Sequence, residues 1–118
     1  MKKLLITLTV LCFSLGCTGP SEPTDQQAQE LLKEGTVLVD VRTQEEFDAG
    51  HLQGAIHLPY EQILDLPQKT DVTQGSDIVV YCRSGRRSGI AKETLEQAGY
   101  KNVRNAGGYE DLKKQISQ

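Results

Sequence analysis

Eleven residues, "VVYCRSGRRSG" at 79–89, concentrate the reactive groups of this chain. An apolar run ends in Cys82, and Arg83, Ser84, Gly85, Arg86, Arg87 and Ser88 follow it directly. The pattern reads as a strand that delivers a thiol to a short loop, with a helix beginning near Ser88. In such a loop the backbone N–H groups of 83–87 can converge on one point, and the helix adds the positive end of its dipole. Gly85 permits the sharp curl because it accepts a positive φ at no steric cost. Three guanidinium groups add full charges. Each effect stabilises a thiolate and draws a small anion toward the sulfur. The implied chemistry is nucleophilic attack on an anionic substrate, with storage of a charged or polarisable adduct on Cys82. Arg83 to Ser88 form the candidate binding cradle; within it Arg87 or Arg86 is expected at the substrate and Arg83 is the bystander. An inert cysteine would sit among apolar neighbours, not ahead of three arginines.

The elements that must hold this loop alternate along the chain. Thr24-x-x-Gln27 resembles a capping box opening a helix that runs to Gly35. "TVLVDV", 36–41, reads as a buried strand, "QEEFDAG", 44–50, as one or two helical turns, and "AIHL", 55–58, as a short strand. A short helix from Tyr60 is expected to end at Pro67, and "DIVVYC", 77–82, is the second central strand. After the thiol, Ile90, Ala91, Thr94, Leu95 and Ala98 share one helical face, and Gly99 terminates that helix. "NVRN", 102–105, predicts a last strand, Gly107-Gly108 a turn, and Tyr109 to Ile116 a closing helix. Nearly continuous apolar strands separated by helices indicate an α/β domain with a central, mostly parallel sheet flanked by helices. Ligands of such sheets bind at the carboxyl ends of the strands, where Cys82 stands.

The first sixteen residues read differently. Lys2 and Lys3 precede an apolar stretch from Leu4 to Leu15, and small residues lead into Cys17. A stretch this short falls below the roughly twenty residues of a bilayer-spanning helix, so 1–16 is read as a signal peptide. Leu15-Gly16-Cys17 resembles the end of a bacterial lipobox, although Ser14 stands where Leu is usual; Ser14-x-Gly16 also satisfies ordinary signal cleavage. Both routes cut before Cys17, and the lipoprotein reading is preferred, with residues 17–24 as a tether and 25–118 as the folded domain. The expectation is an exported bacterial protein, periplasmic or membrane-anchored through lipidated Cys17. Without Lys2 and Lys3, 11 basic residues face 16 acidic ones, a net charge of −5 that argues against nucleic acid. Cys12 leaves with the signal, so Cys82 is the sole cysteine of the folded domain, which marks it as a reactive thiol and excludes a CxxC or zinc-thiolate site.

"LVDVRTQEEFDAGHLQGAIHLP", 38–59, and "VVYCRSGRRSGIAKETLEQAGYKNVRNAGG", 79–108, together resemble the single-domain rhodaneses, a sulfurtransferase family, over about residues 25–112. The small exported, phage-shock-type members are the most similar kind. The resemblance implies a compact rhodanese-like domain in which Cys82 takes a sulfane sulfur from a small anionic donor such as thiosulfate, becomes a persulfide, and passes the sulfur to cyanide or a thiol. It implies no metal and no organic cofactor, and a monomer is the expected state. Tyr109 and Leu112 depart from the larger C-terminal signature of many members, and the usual first strand is absent or reduced. Asp40, Arg42 and Glu46 are expected to form a supporting network rather than act on substrate. His51 and His57 are expected to be structural, since transfer from an ionised thiol needs no general base. A cysteine-dependent phosphatase is the rival enzyme, but its pattern places Arg six residues after Cys, where this chain has Ser88, and Arg87 comes one residue early. By the family comparison that shorter loop favours sulfur anions over a phosphoryl group. A non-catalytic binding module is the remaining alternative, and it is disfavoured because the cysteine and its loop are present.

Overall fold

The structure, a computed structural model, describes residues 33–116. The expected leader, the tether, Cys17 and most of the expected Thr24–Gly35 helix lie outside the described residues. Gly35 itself adopts a φ of +92° in a turn in which the Thr36 N–H donates to the Lys33 carbonyl at 3.1 Å.

Four strands form one sheet: β1 (Val37–Asp40), β2 (Ile56–His57), β3 (Asp77–Cys82) and β4 (Asn102–Gly108). Their spatial order is β2-β1-β3-β4 and every neighbouring pair is parallel, as the alternation of strands and helices predicts. The connections carry helix α1 (Gln44–Asp48), a 3-10 helix (Tyr60–Asp65) leading into α2 (Leu66–Lys69), and α3 (Arg86–Gln97); α4 (Tyr109–Ile116) closes the described chain. Strand side chains alternate between two buried layers, because successive Cβ atoms point to opposite faces. Val39, Val41, Ile78, Val80, Cys82 and Val103 pack with Ile63, Leu66, Ala91 and Leu95 on one face. Leu38, Val79 and Tyr81 pack with Leu52 and Leu112 on the other. The thiol therefore belongs to the layer covered by α3.

Several boundaries differ from the sequence expectation, each for a physical reason. Pro67 does not end the helix begun at Tyr60; it sits in the first positions of α2, where a missing N–H costs nothing. Helix α3 starts at Arg86, two residues before Ser88, because Gly85 takes the left-handed conformation (φ +96°) at its N-cap. Its inward line is Ser88, Ala91 and Leu95, while Ile90 is 39% exposed and Ala98 is exposed. The helix is rotated about its axis so that polar Ser88, not Ile90, faces the thiol.

Gly107 and Gly108 end β4 rather than forming a turn. Three steps along β4, from Asn105 to Gly108, match two along β3, from Val80 to Cys82, which is a bulge of one extra residue. It brings Gly108 beside Cys82, where a Cβ would lie 2.5 Å from the Arg83 carbonyl oxygen. The loop after the thiol can lie there only because residue 108 has no side chain.

Candidate active site

Strand β3 ends at Cys82, whose backbone pairs with Gly108 of β4 and whose side chain is fully buried. The chain then curls through Gly85 into α3, and the Gly85 N–H donates to Cys82 Sγ at 2.9 Å. Ser88 Oγ, one turn into the helix, lies 3.4 Å from the same sulfur as a second donor. Burial pushes the thiol up, but the hydroxyl and N–H of Ser88 and the N–H groups of Gly85 and Ser84 outweigh it and bring the thiol below its ordinary value. The leading stabilisers of the sulfur are thus neutral dipoles at a helix N-terminus.

The arginines are placed differently from one another. Arg87 is bidentate to Glu46, with Nη1 to Oε1 at 2.9 Å and Nη2 to Oε2 at 3.2 Å. Glu46 is fixed from its own side by a capping box on α1, in which the Thr43 N–H donates to Oε1 at 3.0 Å and Thr43 Oγ1 accepts from the Glu46 N–H at 3.2 Å. The Arg87 guanidinium and the Thr43 donors hold the Glu46 carboxyl down at about 2, from an ordinary 4.5. Arg83 and Arg86 are exposed and have no ion-pair partner among the described residues. Arg83 lines a cavity of about 310 Å³ with Arg42, Glu46, Gly50, Tyr109 and Glu110.

Asp40 and Arg42 form a second, buried pair at the end of β1. Arg42 Nε donates to both Asp40 oxygens at 2.9 and 3.1 Å, and Nη2 donates to Oδ2 at 2.6 Å and to the Gly50 carbonyl at 2.7 Å. The guanidinium carbon lies 4.4 Å from the Tyr109 ring centroid and 5.8 Å from that of Tyr81. Burial alone would lower Arg42, but the hydrogen-bonded Asp40 carboxylate more than reverses it and raises the guanidinium further. Burial likewise raises the Tyr81 phenol, which accepts the Leu52 N–H at 3.0 Å and so stays a neutral strut.

The anticipated Asp40–Arg42–Glu46 network is therefore divided. Glu46 reaches across to Arg87 on α3, because its capping box aims the carboxylate there, and Arg42 turns back to Asp40. Arg87 is correspondingly occupied by a carboxylate, and Arg83 and Arg86 hold the open charges. His51 Nδ1 lies 2.9 Å from the Phe47 carbonyl and its ring stacks on Phe47, while His57 Nε2 lies 2.8 Å from the Arg42 carbonyl. Since a carbonyl only accepts, each imidazole donates there. Among the described residues no cluster of three or more His, Cys, Asp or Glu is arranged to hold a metal. Sequence reasoning missed Asn105, which reaches the loop from β4: its Oδ1 lies 2.6 Å from Ser88 Oγ and its Nδ2 donates to the Gly85 carbonyl at 3.0 Å.

A parallel α/β domain presenting a buried, hydrogen-bonded thiol at a strand's carboxyl end, under the N-terminus of the next helix, is a thiol-nucleophile scaffold. The rhodanese-like domain model matches residues 24–115, and the chain belongs to that family. It is 40% identical over 79 residues to the thiosulfate sulfurtransferase PspE of Escherichia coli, covering 63% of this chain and 71% of that one. It is 42% identical over 96 residues to thiosulfate sulfurtransferase 18 of Arabidopsis thaliana, covering 70% and 69%. Among solved structures, an E. coli rhodanese with anions superposes with a TM-score of 0.61 at 38% identity, covering 64% of this chain and 89% of that one.

Two outcomes follow from this geometry. Because the Glu46 carboxyl is held at about 2, its pairing stabilises the fold above about pH 4.5 and that contribution disappears as the pH falls toward 2. Urea unfolding should show Glu46→Gln less stable than the parent at pH 7 and equal to it near pH 2; a gap independent of pH would contradict the pairing. His57→Gln, which can still donate to the Arg42 carbonyl, should keep turnover within about tenfold, whereas a loss beyond about a hundredfold in a folded protein would make His57 a proton-transfer group.

Proposed function

We infer that this chain is a sulfurtransferase that moves a sulfane sulfur from thiosulfate or a similar small anion to a thiol or cyanide through a persulfide on Cys82. The observation that carries the reading is the pair of donors on Sγ, Gly85 N–H at 2.9 Å and Ser88 Oγ at 3.4 Å, in a protein 40% identical to a thiosulfate sulfurtransferase. Buried sulfur supplied with neutral donors is a nucleophile whose thiolate form is favoured while it is shielded from water.

In the first half-reaction the Cys82 thiolate attacks the outer sulfur of thiosulfate. A Cys82 S–S bond forms, the donor's S–S bond breaks, and sulfite leaves with the electron pair. The persulfide that results carries one negative charge on its outer sulfur, within reach of the loop's N–H groups. In the second half-reaction an acceptor thiolate or cyanide attacks that outer sulfur, the Cys82 S–S bond breaks, and the thiolate is regenerated. The loop residues Arg83, Ser84, Gly85, Arg86, Arg87 and Ser88 frame the donor; the unpaired Arg83 and Arg86 supply long-range attraction for the anion, while Arg87 and Glu46 hold the loop to α1. Asp40 and Arg42 hold the neighbouring β1 end. No metal or organic cofactor enters, and the reading takes the chain as a monomer.

The phosphatase reading asks for an arginine six residues after the cysteine; that position is Ser88, and the adjacent Arg87 is bound to Glu46. A purely binding role leaves the stabilised thiol unexplained. The exported, lipid-anchored form rests on the sequence of residues 1–17, as does the periplasmic or membrane location.

Treatment with thiosulfate should add the mass of one sulfur atom to the intact protein, and cyanide should remove it; Cys82→Ser should take up none. Aryl phosphate hydrolysis without sulfur uptake would reverse the assignment. When the full chain is expressed in a bacterium with a periplasm, the mature protein should begin at Cys17 and partition into detergent, and Cys17→Ser should abolish that partitioning; a product that keeps Met1 in the cytosol would overturn the export reading.

A further inference from the structure

Ser88 stands between two acceptors and owns one hydroxyl hydrogen. Its Oγ lies 3.4 Å from Cys82 Sγ and 2.6 Å from Asn105 Oδ1, so the bond can be made to only one of them at a time. The Asn105 amide is fixed in the accepting sense. Oδ1 also takes the Gly107 N–H at 2.9 Å, and Nδ2 donates at 3.0 Å to the Gly85 carbonyl, which the Gly89 N–H shares at 3.0 Å. A flipped amide would lose both bonds. Gly89, a poor residue for a helix interior, is placed where a Cβ would come within 3.4 Å of Asn105 Nδ2. The helix thus makes room for a strand side chain to reach Ser88.

The two acceptors differ in what they offer. A thiolate is a charged acceptor and attracts the hydroxyl more strongly than a neutral amide oxygen does. A protonated thiol, or the inner sulfur of a persulfide, is a weak acceptor, and the amide oxygen at 2.6 Å then wins. We propose that Asn105 is a positioning residue that takes the Ser88 hydrogen bond whenever the Cys82 sulfur carries no negative charge. It thereby favours the sulfur-loaded enzyme over the empty thiolate. The part concerning sulfur loading rests on the sulfurtransferase reading; the competition for the hydroxyl does not. The charged groups around the thiol and Asn105 are Arg83 and Arg86 on the loop and helix start, the Arg87–Glu46 pair from α3 and α1, the Asp40–Arg42 pair from β1, and Lys92, Glu93, Glu96 and Arg104, which line a cavity with Asn105. None of them hydrogen-bonds Ser88 or Asn105 among the described residues.

The test is a double-mutant cycle read by the pH midpoint of iodoacetamide alkylation at Cys82, which needs no sulfur donor. Asn105→Ala removes the competing acceptor. Relative to its effect in a Ser88→Ala background, it should lower the midpoint by about half a pH unit, the size of one net hydrogen bond. The subtraction cancels any change from losing the Gly85 tie, which does not involve the hydroxyl. Asn105→Asp, which offers Ser88 a stronger acceptor, should raise the midpoint more when Ser88 is present than when it is alanine. Equal shifts in the two backgrounds, or couplings of the opposite sign, would overturn the proposal. At a fixed thiosulfate-to-sulfite ratio, Asn105→Ala should also show a smaller persulfide fraction by intact mass than the parent; an unchanged or larger fraction counts against the loading role. A parent protein that takes up no sulfur, together with the expected alkylation coupling, would defeat the sulfurtransferase reading and leave the Ser88 competition standing.

Discussion

A sulfur atom removed from water holds negative charge only if other donors replace the solvent it has lost. Here the replacements are the Gly85 N–H and Ser88 groups, and both come from the first turn of α3 and the residue capping it. Everything else about the site serves to keep that turn over the end of β3. Gly85 adopts a positive φ so that the chain reverses at once into the helix. Gly108 lacks a side chain so that β4 can pass beside the Arg83 carbonyl. The one-residue bulge in β4 aligns that glycine with Cys82.

Two ion pairs hold the surrounding elements without sharing a partner. Arg87–Glu46 ties the start of α3 to the start of α1, so the cradle is braced against the segment following β1. Asp40–Arg42 ties the end of β1 to the Gly50 loop and lies against Tyr109 and Tyr81 on the opposite side of the sheet. The first pair is about a quarter exposed and the second is almost wholly buried. Removing one member of the buried pair would leave an uncompensated charge in the interior, a far larger penalty than losing a partly solvated bond. The interior pair is therefore the stiffer support.

Much of this was legible in the sequence, because local signals carried it. The run "DIVVYC" is β3 to the residue, and an arginine-rich loop with a glycine after a cysteine announces an activated thiol. The parallel sheet follows from the alternation of apolar strands with helices. What could not be read were contacts between residues distant along the chain. Glu46 and Arg87 are 41 positions apart, and only the direction imposed by the Thr43 capping box decides that they meet. The helical face is legible at Ala91 and Leu95 but not at its edge: hydrophobic periodicity favours Ile90, whereas a polar residue that must reach a buried sulfur claims the inward line. Asn105 gave no signal beyond its place in a short strand, since its role arises from a bulge that sequence periodicity does not mark.

The division of labour among the charges bears on what kind of nucleophile the loop makes. Had Arg87 bonded the sulfur directly, a fixed cation would have stabilised both the thiolate and the persulfide anion. With Arg87 neutralised by Glu46, the groups that touch Sγ are an N–H and a hydroxyl. Such donors weaken quickly when negative charge moves one bond outward, as it does when a persulfide forms, and the hydroxyl has an alternative acceptor ready in Asn105. The second acceptor gives the hydroxyl a bond in place of the one lost at Sγ when the charge moves outward, which brings the empty and the loaded states nearer to balance. For a group that must both accept a sulfur atom and give it up, that near-balance matters more than tight binding of either state.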